Sequence, residues 1–108
     1  MANTILFICT GNICRSPMAE GLFRHLVEQH KADLIVKSAG VGAQDGQPPR
    51  ENAIRAMQDL EIDISAQRSQ MMSAELAAEA DMIIGMTHGH TEMVNLMFPH
   101  AAEKTFLL

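Results

Sequence analysis

The spacing of hydrophobic positions changes several times along this chain, and each change marks an element. Thr4 to Ile8 (TILFI) is an unbroken run of apolar and branched residues, which predicts a short buried strand. Ser16 can then cap a helix with Pro17 at its first position. Ala19, Leu22, Phe23, Leu26 and Val27 follow at three- and four-residue spacing, so that helix runs to about His30. Leu34 to Lys37 reads as a second strand leading into the Gly/Pro-rich loop SAGVGAQDGQPP. Ala53, Ile54, Met57 and Leu60 mark a second helix, and Ser73 can cap a short third one holding Leu76 and Ala77. Asp81 to Met86 (DMIIGM) is a third buried strand. Thr87 or a neighbour starts a helix with Met93, Val94 and Met97 on one face, ended by Pro99, and Lys104 to Leu108 (KTFLL) reads as a fourth strand. Strand and helix in alternation predict an α/β fold, a parallel sheet with right-handed crossovers and helices on both faces. Ligands in such folds sit beyond the C-terminal strand ends, near the topological switch point. Cys9 falls at the end of the first strand.

Composition narrows the class. A chain of 108 residues with 47% hydrophobic and 19% charged residues is one globular domain. Its net charge of -5, with no Lys/Arg cluster, argues against nucleic acid as a partner. No apolar run approaches the roughly 20 residues of a membrane helix. The start, Met-Ala-Asn-Thr, lacks a basic region before its apolar run, so a secretory signal is not expected and the chain reads as cytoplasmic. The two cysteines, Cys9 and Cys14, are too few for a disulfide scaffold and lack the second pair a zinc site needs. His88 and His90 read as solvated loop or helix-start residues. Met57, Met93 and Met97 read as core packing.

The chemistry concentrates in ICTGNICRSPMAE, Ile8 to Glu20. A cysteine attacks phosphorus only as a thiolate, and a free thiol, with a pKa of about 8.5, is mostly protonated at neutral pH. Three neighbours are expected to favour the thiolate: the positive end of the helix near Ser16, the charge of Arg15, and the Ser16 hydroxyl. The backbone N–H groups of Thr10, Gly11, Asn12, Ile13 and Cys14 can wrap an anion as a nest. Gly11 and Asn12 tolerate the left-handed conformations such a wrap needs. Arg15 supplies a planar fork matched to two phosphate oxygens.

The stretch CTGNICRSPMAE resembles the C-x5-R-S-P signature of the low-molecular-weight protein-tyrosine phosphatases. The likeness continues at SAG (Ser38 to Gly40), GQPP (Gly46 to Pro49), IDISAQRS (Ile62 to Ser69) and DMIIGM. It implies a three-layer α/β/α fold on a four-stranded parallel sheet and a phosphocysteine intermediate, with no metal or other cofactor. By motif position it implies that Cys9 is the nucleophile and Arg15 the phosphate clamp. Thr10 to Ser16 then bind phosphate, Ser16 supports the thiolate, and Asn12 and Ser38 hold the loop in shape. Gln67 stands where the family often has a histidine. The family's general acid is an aspartate in an Asp-Pro segment after the fourth strand, followed by a last helix. This sequence contains no Asp-Pro. Residues 1–108 are therefore expected to be a single phosphatase-like domain truncated before the general-acid loop and last helix, or one completed by another chain. An apolar FLL terminus is then expected to leave part of the sheet uncovered.

The resemblance also bears on substrate. Ile13 occupies the loop position where tyrosine-specific members carry an apolar residue against the phenol ring, and where the protein-arginine-phosphatase branch tends to have threonine. CTGN, SAGVGAQDG and GMTHGH resemble that branch instead. The expected activity is hydrolysis of phosphotyrosine on phosphorylated proteins or small aryl phosphates, with inorganic phosphate as product. Protein-arginine phosphatase is the alternative. Arsenate reductases of the same fold need further cysteines, one of them near Met86. A phosphate-binding module without turnover is the non-enzyme reading. Cys14 is a candidate redox partner able to form a reversible disulfide with Cys9, or a small buried residue of the first helical turn.

Overall fold

The structure, a computed structural model, describes residues 3–108. Met1 and Ala2, on which part of the signal-peptide reading rests, lie outside the described residues. The elements run β1 (Asn3–Cys9), α1 (Arg15–Gln29), β2 (Leu34–Gly40), α2 (Glu51–Gln58), α3 (Ala74–Glu79), β3 (Met82–Gly85) and α4 (His88–Met97). A 3-10 helix, Pro99–Lys104, and β4 (Thr105–Leu107) follow. The sheet is parallel, with strand order β2-β1-β3-β4. The chain leaves β1 toward β2 on one side, then recrosses β1 to reach β3 on the other. The switch point therefore lies at the C-terminal end of β1, at Cys9.

Alternation along β1 builds the two halves of the core. Ile5 and Phe7 face α1, where they meet Ala19, Phe23 and Val27. The Phe7 and Phe23 rings meet edge to face, 5.7 Å between centroids. Leu6 and Ile8 face the other way, onto Ala77, Val94 and Ala101. A third cluster of Ala53, Met57, Ile62 and Ile64 closes over Cys14 and Met18 at the start of α1. This is the three-layer α/β/α arrangement. Among the described residues no helix is long and apolar enough to cross a membrane.

Several sequence expectations are corrected. The first helix starts at Arg15, so Ser16 and Pro17 lie inside its first turn and Ser16 does not cap it. Proline fits there because the first-turn N–H groups have no partner within the helix. The second strand continues through Ser38, Ala39 and Gly40, which pair with Phe7, Ile8 and Cys9. Leu60 is outside α2 and 57% exposed, because the chain turns at Glu61 (φ 61°) and Ile62 enters the core in its place. Asp81 precedes β3, and its carboxylate accepts the Thr4 N–H at 2.7 Å. On α4 only Val94, of the three apolar residues expected on its face, is buried. Met93 and Met97 flank it and stay about 40% exposed, at 41% and 39%. Met57 is buried as expected. Lys104 ends the 3-10 helix instead of opening β4, and its ammonium is held by the Ala80 carbonyl.

Candidate active site

The turn between β1 and α1 is shaped by where its carbonyls go. Val41 N–H donates to Cys9 O at 3.0 Å, Gly42 N–H to Thr10 O at 2.9 Å, and Arg50 N–H to Ile13 O at 2.6 Å. Across a trans peptide the N–H of the next residue points the opposite way. The N–H groups of Thr10, Gly11 and Cys14 are thereby turned away from those neighbours, and all three residues line the cleft beside Cys9. Asn12 N–H donates to Cys9 Sγ at 3.2 Å. The cleft, about 280 Å³, is lined by Cys9, Thr10, Gly11, Ile13, Cys14, Arg15 and Arg50. That is just below the ~300–1,000 Å³ typical of ligand pockets and suits one side chain.

Asn12 locks the loop. It is 2% exposed and sits at φ 57°, a left-handed conformation that a short polar side chain tolerates. Its Nδ2 donates to Ser16 Oγ and to Ser38 Oγ, both at 2.8 Å, and its Oδ1 accepts Gln70 N–H at 2.9 Å. Since Ser16 Oγ already accepts from Asn12, its own proton is left for Cys9 Sγ, 2.7 Å away. That bond strengthens as negative charge grows on sulfur. Ser38 passes its proton to Glu20, which also pairs with Arg24. A continuous chain of polar contacts thus joins Arg24 on the flank of α1 to the thiol. Gly40 permits the close approach: a Cβ there would stand 2.4 Å from Thr10 O.

The structure brings Cys9, Asn12, Arg15, Ser16 and Ser38 together as the sequence reading expected. Cys14 is the residue before α1 and lines the same cleft, and both cysteines are free thiols. Gly11 differs: it has no positive φ, and Asn12 alone makes the left-handed turn within the loop. Gln67, which stands where the family often has a histidine, makes no side-chain hydrogen bond to the loop among the described residues, and its Oε1 is buried without a partner.

Three residues were missed. His90, read as a solvated loop or helix-start residue, does lie in the first turn of α4 but is only 5% exposed. Its Nδ1 accepts the Thr87 N–H at 3.1 Å, so Nε2 carries the ring proton toward Thr10 Oγ1 at 3.0 Å. The Thr87 hydroxyl in turn accepts His90 N–H at 3.3 Å, which makes a capping box with histidine in the usual Glu/Gln place. The Thr87-x-x-His90 spacing was the available signal. Burial, and then the nearby Arg15 charge, lower the His90 pKa from its usual value near 6.5, which favours the neutral ring. Gly85 admits this turn, since a Cβ there would meet Thr91 Cγ2 at 2.6 Å. Glu20 could have been found from its four-residue spacing to Arg24 on one helix face. Arg50, on the rim of the cleft, carried no motif signal.

A sequence model described as low molecular weight phosphotyrosine protein phosphatase matches residues 4–108. The chain belongs to this family. This phosphatase-family chain is 36% identical to a protein-arginine-phosphatase of Bacillus subtilis over 104 residues, 96% of this chain and 69% of the relative. It is 38% identical to the probable low molecular weight protein-tyrosine-phosphatase EpsP of Ralstonia nicotianae over 108 residues, 100% of this chain and 72% of the relative. Its fold matches a low molecular weight protein tyrosine phosphatase from T. tengcongensis with a TM-score of 0.94 and 36% identity, covering 98% of this chain and 73% of that one.

Proposed function

We propose that this phosphatase-family chain hydrolyses phosphotyrosine through a phosphocysteine intermediate. The observation that carries the reading is Cys9 Sγ at the centre of the loop, with Ser16 and Asn12 aimed at it and Arg15 on the same cleft. The Cys9 thiolate attacks phosphorus. An S–P bond forms as the P–O bond to the phenol breaks, and the electron pair leaves with the phenol oxygen. Loop N–H groups and the Arg15 fork hold the non-bridging oxygens, whose charge they face most closely in the transition state. Water then cleaves the S–P bond, releasing inorganic phosphate and restoring the thiolate. No residue lining the cleft is given the role of general acid, a step typically worth ~10²–10⁴ in rate.

Phosphotyrosine is favoured over phosphoarginine by the lining. Ile13 offers hydrocarbon to an aromatic ring, and Arg50 adds positive charge beside it. A phosphoarginine substrate carries a guanidinium next to phosphorus, and that charge would face Arg50. The competing reading keeps the support of the B. subtilis relative's name. Cys14, lining the same cleft, is proposed as the thiol that caps an oxidised Cys9 as a reversible disulfide; in the cytoplasm, where we place the chain, both stay reduced at rest.

Rapid mixing with a nitrophenyl phosphate tests the reading, because its phenolate leaves without being protonated. The expected result is phenolate release with a phosphate adduct on Cys9 by intact mass, both lost in Cys9→Ser. Absence of phenolate and adduct in the wild type, with phosphate binding retained, would give the site to a binding module.

A further inference from the structure

The eight lysines and arginines of this chain are not used alike. Arg24, Lys37 and Arg55 are paired with Glu20, Glu79 and Glu51. Arg68 donates to the carbonyls of Ser65 and Gln67, and Lys104 to that of Ala80. Among the described residues, Arg15, Lys31 and Arg50 make neither an ion pair nor a side-chain hydrogen bond. Lys31 follows α1 at the far end of the sheet. Arg15 and Arg50 line one cleft. In a chain of net charge -5, the two unneutralised arginines therefore converge on the site.

Arg15 has a role in the proposed chemistry and Arg50 does not. Arg50 is nonetheless fixed in place. Its N–H donates to Ile13 O in the loop at 2.6 Å, and it is the residue that precedes the first turn of α2. The acid next to it, Glu51, is held by Arg55 at 2.6 Å and does not neutralise it. Its side chain is exposed, so the guanidinium stands at the mouth of the cleft and not at its floor. A phosphoryl group seated among the loop N–H groups leaves the adjoining part of its peptide to cross that mouth.

We propose that Arg50 is a specificity-determining residue that selects phosphorylated protein segments bearing a carboxylate close to the phosphorylated side chain. The proposal rests on the phosphatase reading above. An acidic segment is repelled by the bulk of this negatively charged surface, and Arg50 provides local attraction at the one place where such a segment must dock. The contact is solvent-exposed, so it is modest and weakened by salt.

The test uses two phosphotyrosine peptides that differ only in Glu or Gln at the positions flanking the phosphotyrosine. For the wild type, kcat/KM is expected to favour the Glu peptide by about two- to fivefold at low salt. The ratio should fall to about one in Arg50→Gln, invert in Arg50→Glu, and shrink in the wild type as salt rises from about 0.05 to about 0.5 M. Each ratio is taken within one variant, so a general loss of activity does not move it. Binding of the same peptides to Cys9→Ser, followed by fluorescence anisotropy, reads the ratio without turnover. If the wild type turns over neither peptide while Cys9→Ser still prefers Glu, the catalytic reading fails and the selectivity stands. A wild-type ratio of one, a ratio kept in Arg50→Gln, or no binding of either peptide overturns the selectivity.

Discussion

Residues 9–16 bury polar groups, while residues 105–108 expose apolar ones. Asn12 and Ser16 of the loop, with Ser38 of β2 behind it, are almost wholly shielded from water, and each meets its partners inside the protein. At the sheet edge, β4 has three residues, and Phe106, Leu107 and Leu108 leave much of their apolar surface in solvent, as does Leu96 on α4. A buried polar group left without its partner costs far more than its bond contributes when made. An exposed leucine has little burial to lose. The loop should therefore be intolerant of change and the edge permissive, although the sequence offers more hydrophobicity at the edge.

The largest break in that contrast is Arg15→Lys. Both residues are cations, but lysine lacks the planar fork for two phosphate oxygens. Losing a transition-state donor of this kind costs about 10²–10³ in kcat. Steady-state kinetics on an aryl phosphate should show that loss while the urea midpoint stays near wild type, because Arg15 makes no ion pair among the described residues. A loss under tenfold would remove Arg15 from the clamp.

Asn12→Ala comes next and is a stability effect. It strands the Gln70 N–H, takes a donor from both serines, and puts alanine at φ 57°. Together these should cost about 2–4 kcal/mol in urea unfolding. A cost below about 1 kcal/mol would mean that the network does not hold the loop.

Much of this was legible beforehand, for physical reasons that differ by element. The order of strands and helices follows from local periodicity, and the short apolar runs of β1 and β3 announce burial. Cys9, Arg15 and Ser16 lie within one turn and its helix start, so spacing alone brings them together. Boundaries were less visible: SAG has loop composition, yet pairing with β1 draws it into β2. Leu60 matched the helical period, but the turn at Glu61 sends Ile62 inward instead. His90 and Arg50 reach the site only because β3 lies beside β1 and the residue-50 backbone lies against the loop. No local pattern encodes those long-range contacts.

His90 gives a smaller effect whose sign is set by linkage. Its folded pKa is lowered, by burial first and by Arg15 second. Below the unfolded value near 6.5 the unfolded chain binds the proton more readily, so stability is lost as pH falls from there toward the folded value. Above that window the histidine has no pH effect. His90→Gln keeps a donor for Thr10 and an acceptor for Thr87 but does not titrate. Between about pH 7.5 and about pH 5.5 the wild-type urea midpoint should therefore drop more than that of His90→Gln. Equal drops would mean that His90 titrates alike in the folded and unfolded chains.

The smallest expected effect is the one that tests the permissive half of the contrast. Leu96 is 77% exposed on α4, and Leu→Glu there exchanges two good helix formers with little burial at stake. Unfolding free energy should stay within about 0.5 kcal/mol of wild type, against about 2–5 kcal/mol for truncating a buried neighbour such as Ile83 to alanine. A cost above about 1 kcal/mol for Leu96→Glu would mean that something covers this leucine in solution. Running the unfolding at two protein concentrations then identifies the cover. A midpoint that rises with concentration points to a second copy laid on the β4 edge. One that does not points to contacts within the same chain. In either case the edge would depend on burial as the loop does, and the contrast between the two regions would fail at its weaker end.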